Sequence, residues 1–230
     1  MNKQEIAIFG ALVASIVMVN LNSNTPAATM NFDLEAEDPL TVASYAESLD
    51  NYKKHNISYI VARVQTMING KPFWRFIDAQ EFNKIVLGGL VSANDQQPEM
   101  FQDPVSREPI VGVEYLIVKK DDKGAITLEK LCSYNDLFLN KENREFWKDV
   151  LRANQYEDPK MQAKSWLRLG YHYLAGEQTS KNAQKTLEYF LRAFDQTADD
   201  DVADQARQQI EMIVGGEMFR TEATSGRDQD

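Results

Sequence analysis

Apolar residues in this chain follow two different rhythms, and the change between them near Asn140 limits the fold more than any other feature. Before it, Ile57, Tyr59 and Val61 alternate as in a strand; after it, apolar positions recur at helical spacing. Periods of two and of 3.6 belong to different elements with different ways of burying a face. The expected fold class is therefore α+β, a small hairpin–helix–hairpin domain followed by an α-hairpin domain.

Local signals place the elements. Asn69-Gly70 is a strong two-residue hairpin turn, since both positions need positive φ, with one strand beginning at Ile57 and a return strand over residues 72–77. Asp78 is suited to cap a helix over residues 79–87, with Phe82, Ile85 and Val86 on one face and Gly88-Gly89 ending it. Residues 92–109 read as a loop carrying Pro98, Pro104 and Pro109. A second hairpin follows, with strands over 113–118 and 125–131 about a turn at 121–124. Four helices are expected over 142–153, 161–175, 182–194 and 201–214. The domain reading is a signal peptide or anchor at 1–28, a linker with a short helix (40–49) at 29–56, the α+β domain at 57–139, the helical domain at 140–216, and a disordered polar tail at 217–230.

Residues 6–19 form an apolar run in which only Ser15 is polar, preceded by Lys3. A membrane span needs about 18–20 such residues, so the length suits a secretory signal, and the small residues Thr25, Ala27 and Ala28 follow it. An uncleaved anchor over residues 6–21 is the alternative, while a core helix is disfavoured by the lack of a polar face. The expected location is exported, secreted or periplasmic, with membrane contact only through this segment.

Acidic residues number 35 against 25 basic ones, giving a formal charge of −10, and the lysine pairs Lys53-Lys54 and Lys119-Lys120 build no basic face. Nucleic acid is thus not an expected partner. One cysteine, Cys132, excludes an internal disulfide, and with only His55 and His172 beside it no four-ligand Cys/His zinc cage assembles. Neither a GxSxG elbow, a phosphate loop nor a GxGxxG run is present. Cys132 reads as a small buried residue, His172 as a surface residue, and Asp199-Asp200-Asp201 as a helix cap. No catalytic residue, cofactor or metal is expected.

The run AKSWLRLGYHYLAGEQTSKNAQKTLEYFLRAF, beginning at Ala163, resembles a Sel-one-like repeat of the tetratricopeptide superfamily, over residues 163–198. The matching positions are Leu169, Gly170, Tyr173, Gly176, Lys185, Tyr189 and Ala193, while Gln178, Thr179 and Thr186 depart from the pattern. The resemblance implies a helical-repeat hairpin in which Gly170 and Ala193 permit close approach and Gly176 ends the first helix. A single repeat needs caps. Phe146, Trp147, Val150 and Leu151 are expected on one side, and Val202, Ala206, Ile210 and Ile213 on the other.

A second resemblance rests on FQDPVSREPI, from Phe101 to Ile110, which is similar to the closing part of U-box domains, the zinc-free relatives of RING domains, over residues 57–118. It implies a ubiquitin-conjugating enzyme as partner, received at Pro104 and Ile110. A plain Pro-rich turn, with Asp103 and Arg107 paired locally, is the other reading of the same residues. The functional expectation is an exported protein–protein interaction scaffold or adaptor, with a host-directed effector of U-box ligase activity as the alternative.

Overall fold

The computed structural model describes residues 32–90, 96–156, 158–176, 178–197 and 199–215. The expected signal segment and polar tail lie outside these residues. Among the described residues no helix is long and apolar enough to cross a membrane. The chain is α+β and divides into two compact units, the first ending at Tyr156.

The first unit is built on a four-stranded antiparallel sheet. Its strands are β1 (Ile60–Ile68), β2 (Lys71–Asp78), β3 (Ile110–Lys120) and β4 (Ile126–Ser133), in the order β2-β1-β3-β4. Asn69 and Gly70 have φ of 52° and 72°, as the hairpin turn requires. In the second hairpin Asp121 Oδ1 accepts from Lys123 N and Ala125 N. Alternation along β1 sends Ile60, Ala62 and Val64 into a core shared with Ile77, Val113, Tyr115 and Cys132. Phe82, Leu137 and Phe138 close that core from two π-helical turns, Phe82–Val86 and Asn135–Leu139. The expected helix over 79–87 is thus one α-turn, Ala79–Glu81, continued by a π-turn.

Two helices belong to this unit against expectation. Helix α1 (Tyr45–Lys54) starts later than the helix expected over 40–49, because Ser44 and Glu47 form a reciprocal capping box there. It buries Tyr45, Leu49 and Tyr52, so the segment read as a linker is part of the fold. Helix α2 (Arg144–Ala153) places Leu151 in the sheet core with Trp147 packed against it. The first unit therefore runs to Tyr156, past the boundary expected at 139/140, and α2 packs on the sheet core. Periodicity shows that a helix has an apolar face; it does not show which neighbour receives it.

The outer edge of β2 is closed piecemeal. A two-residue turn puts Lys71, Phe73, Arg75 and Ile77 in the hydrogen-bonded pairs, so residues 72, 74, 76 and 78 point their backbone groups away from β1. Pro72 has no N–H to offer, Phe76 O accepts from Tyr45 Oη at 2.7 Å, and Asp78 N donates to Asp38 Oδ2. Of these four outward-facing residues, Trp74 alone keeps both its backbone groups open.

The second unit contains α3 (Pro159–Ala175), α4 (Ala183–Gln196) and α5 (Asp200–Val214). Gly176, with φ 73°, ends α3 in the left-handed conformation, and Asn182 and Asp199 cap the next two helices through Lys185 N and Val202 N. Helices α3 and α4 form a hairpin whose seam passes over Gly170, where a Cβ would meet the Phe190 ring well inside van der Waals distance. Val202, Ala206 and Ile210 bury one face of α5, while Ile213 is half-buried.

Gly170→Ala gains helix propensity yet overpacks this seam. It is expected to lower the stability of the second unit by about 1–3 kcal/mol in urea denaturation followed by circular dichroism. Adding Phe190→Leu, which removes the opposing ring, should recover part of that loss.

Candidate functional site in twin Asp-Pro loops

Two segments of the first unit, Asp38-Pro39-Leu40-Thr41-Val42 and Asp103-Pro104-Val105-Ser106-Arg107, fold into the same loop bond for bond. In each, Oδ1 of the leading aspartate accepts from the backbone N–H groups two and three residues on, Leu40 (2.8 Å) and Thr41 (2.9 Å) in one, Val105 (2.8 Å) and Ser106 (3.0 Å) in the other. Val42 N donates to Asp38 O and Arg107 N to Asp103 O, both at 2.9 Å. Asp38 N donates to Ala43 O and Asp103 N to Glu108 O, again at 2.9 Å. The hydroxyls of Thr41 and Ser106 accept from Ala43 N and Glu108 N. Isolated bridges, Glu37 to Ser44 and Gln102 to Pro109, close both stems. Proline after the aspartate has no N–H to satisfy and a φ preset for the turn.

Both loops are fastened to β2 by the remaining carboxylate oxygen. Asp38 Oδ2 accepts from Asp78 N, and Asp103 Oδ2 pairs with Arg75 Nε at 2.7 Å. The aspartates are 1% and 0% exposed, so their charge is sustained by these donors, and charge-assisted bonds of this kind are about twice as strong as neutral ones. What they hold up is exposed: Val42 is 70% and Val105 53% accessible. Val42 and Arg107 sit at the fifth position with φ of 61° and 64°. For a β-branched residue such as Val42 that conformation is strained, and retained strain of this kind clusters at binding surfaces.

The sequence-expected contact residues divide here. Pro104 is half-buried at the start of the second loop, but Ile110 opens β3 opposite Thr66 and is 1% exposed within the sheet core. It is corrected from a surface contact to a core residue. Asp103 pairs with Arg75 rather than with Arg107, which points into solvent.

A polar cluster lies beside the first loop. Asp78 caps the turn after β2, its Oδ1 accepting from Gln80 N at 2.8 Å and Glu81 N at 3.1 Å, with Tyr52 Oη at 3.4 Å. Burial pushes its carboxyl up to about 7 and the Asp38 charge adds to this, while the Glu81 and Gln80 amides pull the other way. Next to the loop stem is a cleft of about 240 Å³ lined by Phe32, Asp33, Glu37, Tyr45, Arg75 and Phe76. The second loop lies in the run 101–110 already singled out from the sequence, whereas the first loop, the cleft and the recurrence of Asp-Pro-aliphatic-Thr/Ser were not.

In the second unit the seven repeat-pattern residues fall on one helical hairpin. Leu169 and Ala193 are buried, and the Tyr173 and Tyr189 rings stack at 5.6 Å. Lys185 Nζ lies 4.9 Å over the Tyr173 ring and donates to its hydroxyl at 3.3 Å. Cys132 is buried in the sheet core, which raises its thiol pKa far from the range of a nucleophile. His172 is half-buried on α3. Among the described residues no group of His, Cys, Asp or Glu is arranged to hold a metal ion.

Because the folded Asp78 carboxyl titrates above its ordinary value of 3.8, the folded chain holds a proton that the unfolded chain has lost between about pH 4 and 7. Stability is expected to fall as pH rises through that window and to level off above it, and Asp78→Asn, which can still cap, should flatten the dependence in urea titrations. Asp103→Ala should cost toward the lower end of about 3–5 kcal/mol, since it strands Arg75, and should speed amide exchange at Val105 and Ser106.

Comparison with known proteins finds no matching family model, no matching curated protein and no matching solved structure.

Proposed function

We propose that the chain is an exported protein–protein interaction scaffold whose main contact surface is the pair of Asp-Pro loops on β2. The carrying observation is the contrast within each loop between a buried aspartate and the exposed residue it displays, Val42 in a strained conformation and Val105 on a fully bonded turn. A rigid scaffold presenting ordered loops is how binding residues are commonly displayed. The α3–α4 hairpin, with its Sel-one-like residue pattern, supports the same reading by offering the exposed Met161 and Tyr171 as a secondary surface. Ubiquitin-ligase activity draws no such support, because the burial of Ile110 removes one of its two contact residues.

A photo-reactive residue placed at Val105 of the full chain in its own cells should give a discrete cross-linked product that the same group at the exposed Val214 does not. Identical or diffuse products from both positions would remove the assignment. Val42→Gly relieves the left-handed strain and should stabilise the first unit by about 1 kcal/mol while weakening partner capture. A gain in stability with unchanged capture would make Val42 a structural oddity only.

A further inference from the structure

The cleft beside the first loop has a chemistry of its own. Phe32 sits 4.8 Å from Tyr45 and 4.9 Å from Phe76, ring centroid to centroid, giving a continuous aromatic wall. Asp33 and Glu37 stand exposed at its rim and meet no cation among the described residues. Arg75 also lines it, but its guanidinium is held by Asp103 and lies 5.2 Å over the Phe73 ring, so the uncompensated charge is negative. At about 240 Å³ the cleft is smaller than the roughly 300–1,000 Å³ of drug-sized sites, and its volume suits one long side chain. Aromatic faces with nearby carboxylates attract organic cations.

The cleft also adjoins the open part of the β2 edge. Phe76 belongs to both, and two residues before it Trp74 presents an unpaired N–H and C=O outward. An extended segment bonded to Trp74 carries side chains at a two-residue repeat, which brings one of them to the level of Phe76.

We infer that the cleft and the β2 edge together receive an extended basic segment of a partner protein, its backbone pairing with Trp74 and one Arg or Lys side chain entering between the aromatic wall and the Asp33 and Glu37 carboxylates. This deepens the scaffold reading by naming the chemistry of the partner, and it stands or falls separately from the Val105 cross-link, which probes the other loop.

The test is a titration of the full chain with acetyl-Thr-Val-Arg-Val-Thr-amide, followed through backbone amide shifts. Shifts at Phe76 and at the Trp74 amide are expected. Replacing arginine by neutral, nearly isosteric citrulline, or using the Asp33→Asn, Glu37→Gln variant with an otherwise unchanged amide spectrum, should weaken binding about tenfold. Equal affinity for the citrulline peptide, shifts that spare Trp74, or no shifts at millimolar peptide would each overturn the inference.

Discussion

A buried carboxylate with both oxygens engaged is the interaction on which the first unit turns. Asp38 and Asp103 each close a loop with one oxygen and seize β2 with the other. An ionised group this deep is tolerable only when donors replace the water it has lost. The loop N–H groups supply that replacement, so loop conformation and anchor charge sustain each other. Opening either loop would strip the buried Oδ1 of both its donors, and this explains how short, exposed segments containing residues in left-handed backbone keep one shape.

The consequence spreads along β2. Through Asp78 N the first loop touches the cap of the following α-turn, and Asp78 is itself pushed toward neutrality by burial and by the Asp38 charge. Through Arg75 the second loop neutralises a cation that would otherwise face the cleft. One strand thus carries the two loops, a proton-sensitive cap and the aromatic wall. The remainder of the sheet, with its core of Ile60, Ala62, Tyr115 and Phe138, provides the rigidity against which these are mounted.

Much of this architecture was readable from sequence, for identifiable reasons. The Asn69-Gly70 turn, the end of α3 at Gly176 and the close seam at Gly170 depend on backbone conformations or clearances that few residues satisfy, and such positions declare themselves. The receiver of α2 was not readable, since an amphipathic face does not name its neighbour. Ile110 was misplaced because its strand parity is set by pairing with Thr66, a contact far along the chain. The likeness of the two loops escaped for a related reason: each has a local half, visible as Asp-Pro-aliphatic-Thr/Ser, and a distant half at Asp78 or Arg75 that gives the local half its meaning.

The way the β2 edge is finished bears on the behaviour of the protein at high concentration. Edge strands invite copies of a chain to stack into endless ladders, and the usual defence is to leave no run of free backbone groups. Here Pro72, the Tyr45 hydroxyl and the Asp38 carboxylate between them leave Trp74 as the one residue of this edge with both backbone groups open. A single rung can pair with a visiting strand that brings other contacts with it, yet it is too short to template polymerisation by itself. The same edge can therefore remain available without making the molecule prone to aggregate there.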